Sequence, residues 1–383
     1  MIRLQKISSF DPQYLKQFYS QNPGIENAEY SFQLTYLLKD RYGWSDFWKS
    51  NLERTGRFVV DEVVINADAL QRSWEKAHSI PLNSGTPLLD IVRAQVRAFQ
   101  PNILFTHDFS FITPAFRKSI RHLAPSIQLI IGYDGTSRNN KQQFEGCDLM
   151  LTCNEETMEY YQRAGFKATY FKLGFETSLL SEIRQTAEHF ECSFVGNIML
   201  GHNCHESRLR LLASCADETP LVIFTSVPTD YRFLRTRAGF LSRGNVRKAI
   251  GDVIRDYNCL RGLRNRIRPP RFGLAMYQTL ASSRISLNVH IDAARSRAGN
   301  MRMFEATGTA SCLLTDRKHN LSEFFTADKE VVTYDGPADC IEKIRYLIDN
   351  PTRCADLAAA GQARTLSSHT LNASILQFAS EYL

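Results

Sequence analysis

The residues best suited to chemistry follow predicted strands, at the end of a parallel sheet where α/β proteins bind ligands. The segment Arg297-Ala-Gly-Asn-Met-Arg302-Met-Phe-Glu305 joins a predicted strand to a predicted helix. Gly299 and Asn300 stand where a helix N-terminus exposes free N–H groups. The guanidiniums of Arg297 and Arg302 flank them, a combination that suits a diphosphate. The structural alternative is an asparagine cap beside two solvated arginines.

Two histidines also follow predicted strands directly. His107 comes after NILFT, and His290 comes after ISLNV. A histidine in this position can orient a substrate hydroxyl or act as a base near neutral pH. A capped loop histidine is the structural alternative for both residues.

A further cluster has a spacing that invites comparison with metal sites: His202, Cys204, His205 and Arg208. A reduced metal site needs another ligand pair, and the sequence places none at a suitable spacing. We therefore predict no bound metal. The sequence also lacks the G-x-G-x-x-G and Walker A motifs, which argues against a Rossmann dehydrogenase and a P-loop NTPase.

The composition is that of an ordinary globular protein, with 43% hydrophobic and 22% charged residues. A length of 383 residues predicts two domains. No apolar run approaches the roughly 20 residues of a membrane span, and the first residues lack a signal-peptide core. The nine cysteines are scattered without a C-x-x-C pair, which favours reduced thiols. We expect a cytoplasmic protein.

The net charge of +6 comes from one stretch of the chain. Between Tyr231 and Phe272, hereafter the arginine-rich segment, twelve Lys/Arg face two acidic residues, and the rest of the chain is slightly acidic. Such a cluster is typical of a phosphate-binding track, a contact with an anionic membrane or a solvated face.

Strand-like runs alternate with amphipathic helical stretches along the whole chain, which predicts an α/β protein with two doubly wound parallel domains in tandem. Helices are expected between the strands, for example over 88–99, 114–123 and 273–281. The predicted strands of the first half are Phe58–Ile65, Asn102–Thr106, Ile127–Ile131, Asp148–Thr152 and Lys167–Lys172. Those of the second half are Cys192–Val195, Leu221–Thr225, Ile285–Val289, Cys312–Leu314 and Glu330–Tyr334.

The C-terminal third carries a specific resemblance. The run FGLAMYQTLASSRISLNVHIDAARSRAGNMRMFEATGTASCLLTD, followed by NLSEFF and EVVTYDGPADCIEKIRYLIDNP, resembles the CgeB-type (spore-maturation-protein-like) glycosyltransferases. These are relatives of the family-4 enzymes of the GT-B group. The resemblance implies two Rossmann-like domains facing across a cleft. It places an acceptor-side domain at 1–180, a nucleotide-sugar domain at 190–365, and a helix at 366–383 that packs back toward the first domain.

The resemblance also assigns roles to individual residues. Glu305 in MFEATG matches the glutamate that contacts the nucleotide ribose, a task that suits a carboxylate because it accepts hydrogen bonds from hydroxyls. The loop Arg268–Gly273 matches the segment that pairs with the base. Gly196-Asn197 matches the turn beside the diphosphate. His107 falls where many relatives place a histidine near the transferred sugar, and we group His290 with the donor-binding residues.

One position departs from the family pattern. Family-4 enzymes carry a glutamate eight positions before the ribose-binding glutamate, and this sequence has Arg297 there. An arginine cannot accept from sugar hydroxyls but can neutralise a leaving diphosphate, so we include Arg297 with His107 as catalytic. The resemblance implies a retaining, metal-independent enzyme without a cofactor, using a UDP- or GDP-sugar as substrate.

The implied reaction moves a sugar to a glycan, lipid-linked or protein acceptor in cell-envelope or surface-polysaccharide synthesis. Two other function classes stay open: a catalytically inactive GT-B-like binding protein, and a nucleic-acid-binding protein that uses the arginine-rich segment. The nucleic-acid interpretation lacks interleaved stacking aromatics, so we predict no nucleic-acid partner. Peripheral contact with an anionic membrane is a further expectation from the charge cluster.

Overall fold

The computed structural model describes residues 1–78, 87–135, 141–184, 187–198, 205–226, 246–294 and 296–383, without the side chains of 141, 246–250, 252, 253 and 293. The chain divides into two compact units. Unit 1 consists of Met1–Lys172 together with Leu371–Leu383, and unit 2 of Leu173–Thr370.

Unit 1 is built on a six-stranded parallel sheet with the order β2-β1-β3-β4-β5-β6. Its strands are β1 Ile2–Ser8, β2 Phe58–Val64, β3 Ile103–Thr106, β4 Leu129–Tyr133, β5 Leu149–Thr152 and β6 Ala168–Tyr170. Its helices are α1 Pro12–Gln21, α2 Tyr30–Lys39, α3 Phe47–Glu53, α4 Asp68–Ala77, α5 Leu88–Phe99, α6 Pro114–Leu123, α7 Glu155–Arg163 and, from the chain end, α14 Leu371–Tyr382. The chain leaves β1 toward β2 on one side and returns to β3 on the other. The sheet therefore has its switch point between β1 and β3.

Strand β1 is the main element that the sequence analysis missed. It occupies a central position in the sheet, yet its sequence IRLQKIS is interrupted by Gln5 and Lys6. Both side chains are buried because strand β2 supplies their partners. Gln5 donates to Asp61 at 2.8 Å, and Lys6 forms an ion pair with Glu62 at 2.6 Å. The polar interruption in the sequence is therefore explained by two cross-strand contacts, while Gln5 Oε1 and Glu62 Oε1 have no hydrogen-bond partner among the described residues.

Other elements of unit 1 follow local signals in the sequence. Helix α6 begins at Pro114, and the Thr113 side chain accepts from the N–H of Phe116. The strand predicted at Ile127–Ile131 begins later, at Leu129, because the N–H of Ile127 bonds to Ala124 O in a turn after α6. These contacts set where α6 and β4 begin.

Unit 2 repeats the architecture with a second six-stranded parallel sheet, ordered β12-β11-β10-β7-β8-β9. Its strands are β7 Phe190–Val195, β8 Leu221–Phe224, β9 Ile267–Arg268, β10 Ser283–Asn288, β11 Cys312–Asp316 and β12 Val332–Tyr334. Its helices are α8 Glu206–Glu218, α9 Val246–Leu263, α10 Gly273–Ala281, α11 Met301–Gly308, α12 Pro337–Asp349 and α13 Pro351–Ser368. The chain leaves β7 toward β8 and β9, then returns to β10 on the other side of β7. The switch point of unit 2 lies between β7 and β10.

The core of unit 2 explains why these elements form. Apolar residues of β7, β10 and β11, such as Cys192, Ile285 and Leu314, pack against helices α8, α12 and α13 in one buried cluster. Continuous apolar strands of this kind are typical of a parallel sheet covered on both faces. The polar residues that follow the strands are consequently concentrated at the sheet edge.

Only the second part of the arginine-rich segment lies within the described residues. It forms helix α9, strand β9 and the turn before α10. Arg261, Arg264 and Arg268 are exposed, whereas Arg271 pairs with Glu188 at 3.0 Å. The described part of the chain contains no helix that is both long and apolar enough to cross a membrane.

Candidate functional site at the strand ends

The carboxyl ends of β7 and β10 form the candidate site of unit 2. Gly196 and Asn197 follow β7, and Val289 and His290 follow β10. The Gly196 N–H donates to Phe224 O at 3.1 Å, which holds the turn against strand β8. Two regions that the sequence analysis singled out independently therefore meet at the switch point, where open α/β sheets bind ligands.

Arg208, in the first turn of α8, connects these two strand ends. Its Nη1 donates to Asn197 O and its Nη2 donates to Val289 O, each at 2.7 Å. The side chain is 7% exposed, and burial lowers the pKa of its guanidinium to about 10, so the group stays charged at neutral pH. Arg208 thus fixes both loops and contributes a buried positive charge.

His290 is oriented by the last residue of β11. Its Nδ1 lies 2.6 Å from Asp316 Oδ1, and the same oxygen accepts the backbone N–H of His290 at 3.1 Å. Burial alone raises the pKa of Asp316, but the hydrogen bonds from His290 and the charge of Lys318 bring it down to about 2. The carboxylate is therefore ionised under physiological conditions.

Helix α11 begins next to the same strand end. Gly299 has a φ of 139°, a backbone conformation that favours glycine, and it is followed by Asn300 at the N-cap position. The Asn300 side chain makes no capping hydrogen bond. It donates instead to Asn288 Oδ1 at 2.8 Å, which ties the start of α11 to the end of β10. The capping alternative from the sequence analysis is wrong for this side chain.

Glu305 lies one turn into α11 and is 6% exposed. Its Oε2 pairs with Arg302 Nη1 at 2.7 Å, and its Oε1 accepts from the Tyr277 hydroxyl at 3.3 Å. Burial raises the pKa of Tyr277 well above its usual value, so the phenol remains a donor. Helices α10 and α11 therefore hold a buried carboxylate with two defined partners.

Two predicted site residues of unit 2 contact groups outside this arrangement. Arg297 Nη1 is 3.8 Å from Glu323 Oε1, in the loop before α11. Arg268 ends strand β9, and β8 separates it from β7. Its guanidinium donates to the carbonyls of Asn265 and Ile267, both at 3.2 Å. The structure therefore brings Gly196, Asn197, His290 and Asn300 together, with Arg302 and Glu305 along α11, but not Arg268.

The candidate metal cluster is only partly described, since His202 and Cys204 lie outside the described residues. His205 is buried beside Arg208, and burial lowers the pKa of its imidazole to about 4. Among the residues that the structure describes, no group of three His, Cys, Asp or Glu side chains is arranged to hold a metal ion.

In unit 1, His107 lies at the corresponding switch point, between β1 and β3. Its Nε2 is 3.4 Å from Ser8 Oγ. The ring centroids of Trp44 and Tyr133 lie 5.2 and 6.1 Å from that of His107. Burial and the charge of Lys6 lower the pKa of His107 to about 3, so the imidazole is neutral near pH 7. An imidazole with so low a pKa is a weak base, so it suits orientation of a hydroxyl better than proton abstraction.

The sequence analysis missed three residues that contact predicted site residues, Asn288, Tyr277 and Asp316, and it missed the loop-connecting role of Arg208. Asp316 had a usable signal, because it follows the apolar run CLLT at a strand end. The predicted strand stopped at Leu314, two residues too early. Arg208 and Tyr277 act through partners distant in sequence, which a local pattern cannot show.

Comparison with known proteins gives one family match. Residues 237–380 match a family model described as glycosyl transferase-like. No curated protein matches the sequence.

Several solved structures match the whole chain. HepE of Anabaena, in complex with UDP-glucose, has a TM-score of 0.57 at 13% identity and covers 100% of this chain and 99% of its own. Sucrose-phosphate synthase from Thermosynechococcus elongatus has a TM-score of 0.56 at 10% identity, and the match covers 100% of this chain and 98% of the synthase chain. A glycosyltransferase from Rickettsia africae has a TM-score of 0.55 at 9% identity, and the match covers 100% of this chain and 97% of the glycosyltransferase chain. The predicted GT-B fold class, with two Rossmann-like units, is confirmed.

Proposed function

We propose that this protein is a glycosyltransferase that moves a sugar from a nucleotide sugar to an acceptor. The single observation that carries the proposal is the switch point of unit 2. There Arg208 joins the strand ends of β7 and β10, and Asn300 joins the end of β10 to the start of α11, the helix that carries Arg302. The glycosyl transferase-like match over 237–380 covers most of this unit. HepE, which shares the fold, was solved with UDP-glucose.

The chemistry that such a site supplies is stabilisation of the leaving group. When the bond between the anomeric carbon and the diphosphate breaks, negative charge develops on a phosphoryl oxygen. Fixed donors and cations at that oxygen lower the barrier because they need no reorganisation. The first turn of α11, beginning after Asn300, and the guanidinium of Arg302 are suited to that task.

The nucleoside is assigned to Glu305. In the free protein both carboxylate oxygens have partners, Arg302 and Tyr277. A ribose hydroxyl that donates to Glu305 competes with Arg302, whose guanidinium is then available to the diphosphate. We therefore propose that donor binding breaks the Arg302–Glu305 ion pair. Arg302 then contacts the diphosphate and Glu305 contacts the ribose, while the hydrogen bond from Tyr277 keeps the carboxylate in place.

The finer assignments belong to the same proposal. Unit 1, with His107, takes the acceptor, and the acceptor is a glycan, a lipid-linked sugar or a protein of the cell envelope. The proposed relationship to CgeB-type enzymes and the metal-independent, retaining reaction follow from the motifs around Glu305. Arg297 replaces a sugar-binding glutamate in that pattern, and we assign it to the leaving diphosphate. Arg268–Gly273 is proposed to contact the base.

The test is calorimetry with UDP, GDP, dTDP and the matching nucleosides on the full chain. Arg302→Ala removes a charged contact to the diphosphate, so we expect diphosphate affinity to fall by roughly tenfold or more with nucleoside affinity unchanged. Glu305→Gln removes the ribose contact, so nucleoside and diphosphate should lose affinity by the same factor. Arg345→Ala, an exposed arginine paired with Glu218, is the control.

The outcomes separate the open functions. If no nucleoside diphosphate binds, or if Arg302→Ala and Glu305→Gln bind as tightly as the parent, the proposed site is wrong. Tight binding of a nucleotide sugar, with neither hydrolysis nor transfer in any acceptor mixture, would identify a binding protein that has lost catalysis.

Contact with an anionic membrane remains a proposal based on the arginine-rich segment. Arg261 and Arg264 are exposed at the end of α9. Attachment to phosphatidylserine vesicles that weakens with salt, and weakens further in Arg261→Glu/Arg264→Glu, supports it. If the parent does not attach to these vesicles at low salt, the arginine-rich segment is a solvent-exposed surface that does not bind membranes.

A further inference from the structure

The two ring nitrogens of His290 are in different situations. Nδ1 lies 2.6 Å from Asp316 Oδ1, whereas Nε2 is buried and has no hydrogen-bond partner among the described residues. The residue as a whole is 3% exposed. A buried polar atom without a partner is unfavourable, so native proteins rarely keep one unless a ligand, ion or water satisfies it. Nε2 is therefore the atom of this ring that is available to a ligand.

Asp316 fixes both the orientation and the proton of this imidazole. Since Oδ1 accepts from the backbone N–H as well as from Nδ1, the ring cannot turn without losing a contact. The other oxygen, Oδ2, pairs with Lys318 Nζ at 3.1 Å. An ionised carboxylate at Nδ1 keeps a proton on that nitrogen and stabilises the imidazolium when Nε2 is protonated too. Asp316 is thus a positioning residue for His290.

The charged groups around His290 favour an anionic ligand. Arg208 of α8 donates to the carbonyl of the preceding residue, Val289, and Lys318 follows strand β11. Two carboxylates lie near, but each is engaged: Asp316 with His290 and Lys318, and Asp292 with the N–H of Glu206 at the start of α8. On the β12 side, Tyr334 contributes a neutral phenol that donates to Asn288 O. Lys318 and Asp316 offset each other, whereas Arg208 donates to the carbonyls of Asn197 and Val289, so its buried charge is the one that favours an anion here.

We propose that His290 Nε2 binds a phosphoryl oxygen of the donor's diphosphate and protonates the departing nucleoside diphosphate. The inference rests on the proposed function and deepens it by naming the acid of the reaction. His290 also lies at the switch point of unit 2, beside the start of α11, where the diphosphate is assigned. In this proposal His290 contacts the diphosphate, whereas Glu305 contacts the ribose of the nucleoside.

The proposed step balances as follows. The bond between the anomeric carbon and the diphosphate oxygen breaks, and its electron pair stays on that oxygen. The Nε2–H bond breaks, and its proton passes to the same diphosphate. The acceptor hydroxyl forms the new bond to the anomeric carbon and releases its proton to water. In the product complex the proton returns from the diphosphate to Nε2, so that His290 is again an imidazolium held through Nδ1–H by Asp316.

The test measures proton uptake during binding, which needs no acceptor. The probe is the tightest binder among UDP, GDP and dTDP, titrated at pH 8 into the full chain in buffers of different ionisation enthalpy. At pH 8 a free imidazole is mostly neutral, so a diphosphate that binds the imidazolium draws a proton from the buffer. We expect uptake in the parent, loss of that uptake in His290→Asn, and reduced uptake in Asp316→Asn. Diphosphate affinity should fall roughly tenfold in His290→Asn, with nucleoside affinity unchanged.

A matched control is His189→Asn, because His189 is exposed and belongs to the same unit. It should bind and take up protons like the parent. Nitrogen NMR of the parent provides a measurement without any variant: the Nε2 resonance of His290 should move to the protonated position when the diphosphate is added.

Each outcome is decisive. Diphosphate binding with equal proton uptake in His290→Asn, or an unchanged Nε2 resonance in the parent, overturns this inference and leaves the proposed glycosyltransferase standing. Absence of binding by all three diphosphates overturns both.

Discussion

His107 shows how surroundings decide what a single side chain can do. The aromatic rings of Trp44 and Tyr133 and the buried charge of Lys6 keep its imidazole neutral, with a pKa of about 3. It can therefore hold a substrate hydroxyl through hydrogen bonds across the whole physiological range. His290, by contrast, has the ionised carboxylate of Asp316 at its Nδ1. The two histidines that follow strands in the two units thus have different surroundings.

At this scale we predict that His107→Ala lowers turnover on the order of a hundredfold because the acceptor hydroxyl is no longer oriented, with donor affinity nearly unchanged. Between pH 5 and 8, the turnover of the parent and of His107→Ala should depend on pH in the same way, because His107 has a pKa of about 3. Steady-state kinetics with saturating donor measure both. His122→Ala, an exposed histidine of the same unit, is the control. Equal turnover in His107→Ala and the parent would reduce His107 to a packing residue.

The same low pKa affects stability in acid. The ordinary histidine pKa is 6.5 and that of folded His107 is about 3, so between these values the unfolded chain binds a proton that the folded chain does not. Protonation of His107 in the unfolded chain therefore lowers the free energy of unfolding as the pH falls from 6.5 toward 3. Above pH 6.5 this loss of stability is absent. His107→Ala should show a weaker fall in melting temperature over this range.

At the scale of elements, α8 holds the donor site together through one residue. Arg208→Met keeps the length of the side chain but leaves Asn197 O and Val289 O without their donor. We expect a loss of about 1–3 kcal/mol in the free energy of unfolding and a clear loss of nucleotide affinity. Denaturant unfolding and calorimetry measure the two effects.

Arg210→Met is the matched control for this change, because Arg210 is exposed on the same helix. It should leave both quantities within experimental error of the parent. If Arg208→Met binds nucleotide normally, the connection between β7 and β10 is not needed for the site.

Helix α11 supplies a second prediction at this scale. A methyl group at Gly308 would overlap the ring of Phe175, whereas Gly251 in α9 has nothing within 4 Å of such a group. Gly308→Ala should therefore destabilise the protein by about 1–3 kcal/mol. Gly251→Ala should stabilise it by up to about 1 kcal/mol through helix propensity. Melting temperatures of the two variants should move in opposite directions, and a rise in both would contradict the proposed packing of α11.

The elements also show how far the sequence could predict the molecule. The strand-end rule found His107 and His290 because each directly follows an apolar run. It missed Asp316 because the polar Thr315 made β11 seem shorter than it is. Strand β1 was missed since Gln5 and Lys6 break its pattern, and only their partners on β2 explain their burial. Contacts such as Arg208 with Val289 join residues 81 positions apart, which spacing alone does not show.

At the scale of the whole molecule, the last helix belongs to the first unit. Helix α14 returns to unit 1, where Phe378 is 4% exposed and its ring lies 5.8 Å from Trp48 and 6.1 Å from Phe171. At the end of the same helix, the Tyr382 hydroxyl donates to Thr169 at 2.9 Å. Leu371–Leu383 therefore completes unit 1, although the whole of unit 2 lies between this segment and Met1–Lys172 in the sequence.

This connectivity predicts that stability and donor binding can be separated. Phe378→Ala empties an aromatic site in unit 1 and should cost about 3–5 kcal/mol of its stability. Because the proposed nucleotide contacts all lie in unit 2, affinity for the nucleoside diphosphate should stay within about twofold of the parent at temperatures where the variant is folded. Calorimetric melting, with and without nucleotide, measures both. Tyr346→Ala, whose side chain is 53% exposed on α12, is the control and should change neither quantity. A large loss of nucleotide affinity in folded Phe378→Ala would show that unit 1 contributes to donor binding, contrary to the division of roles proposed for the two units.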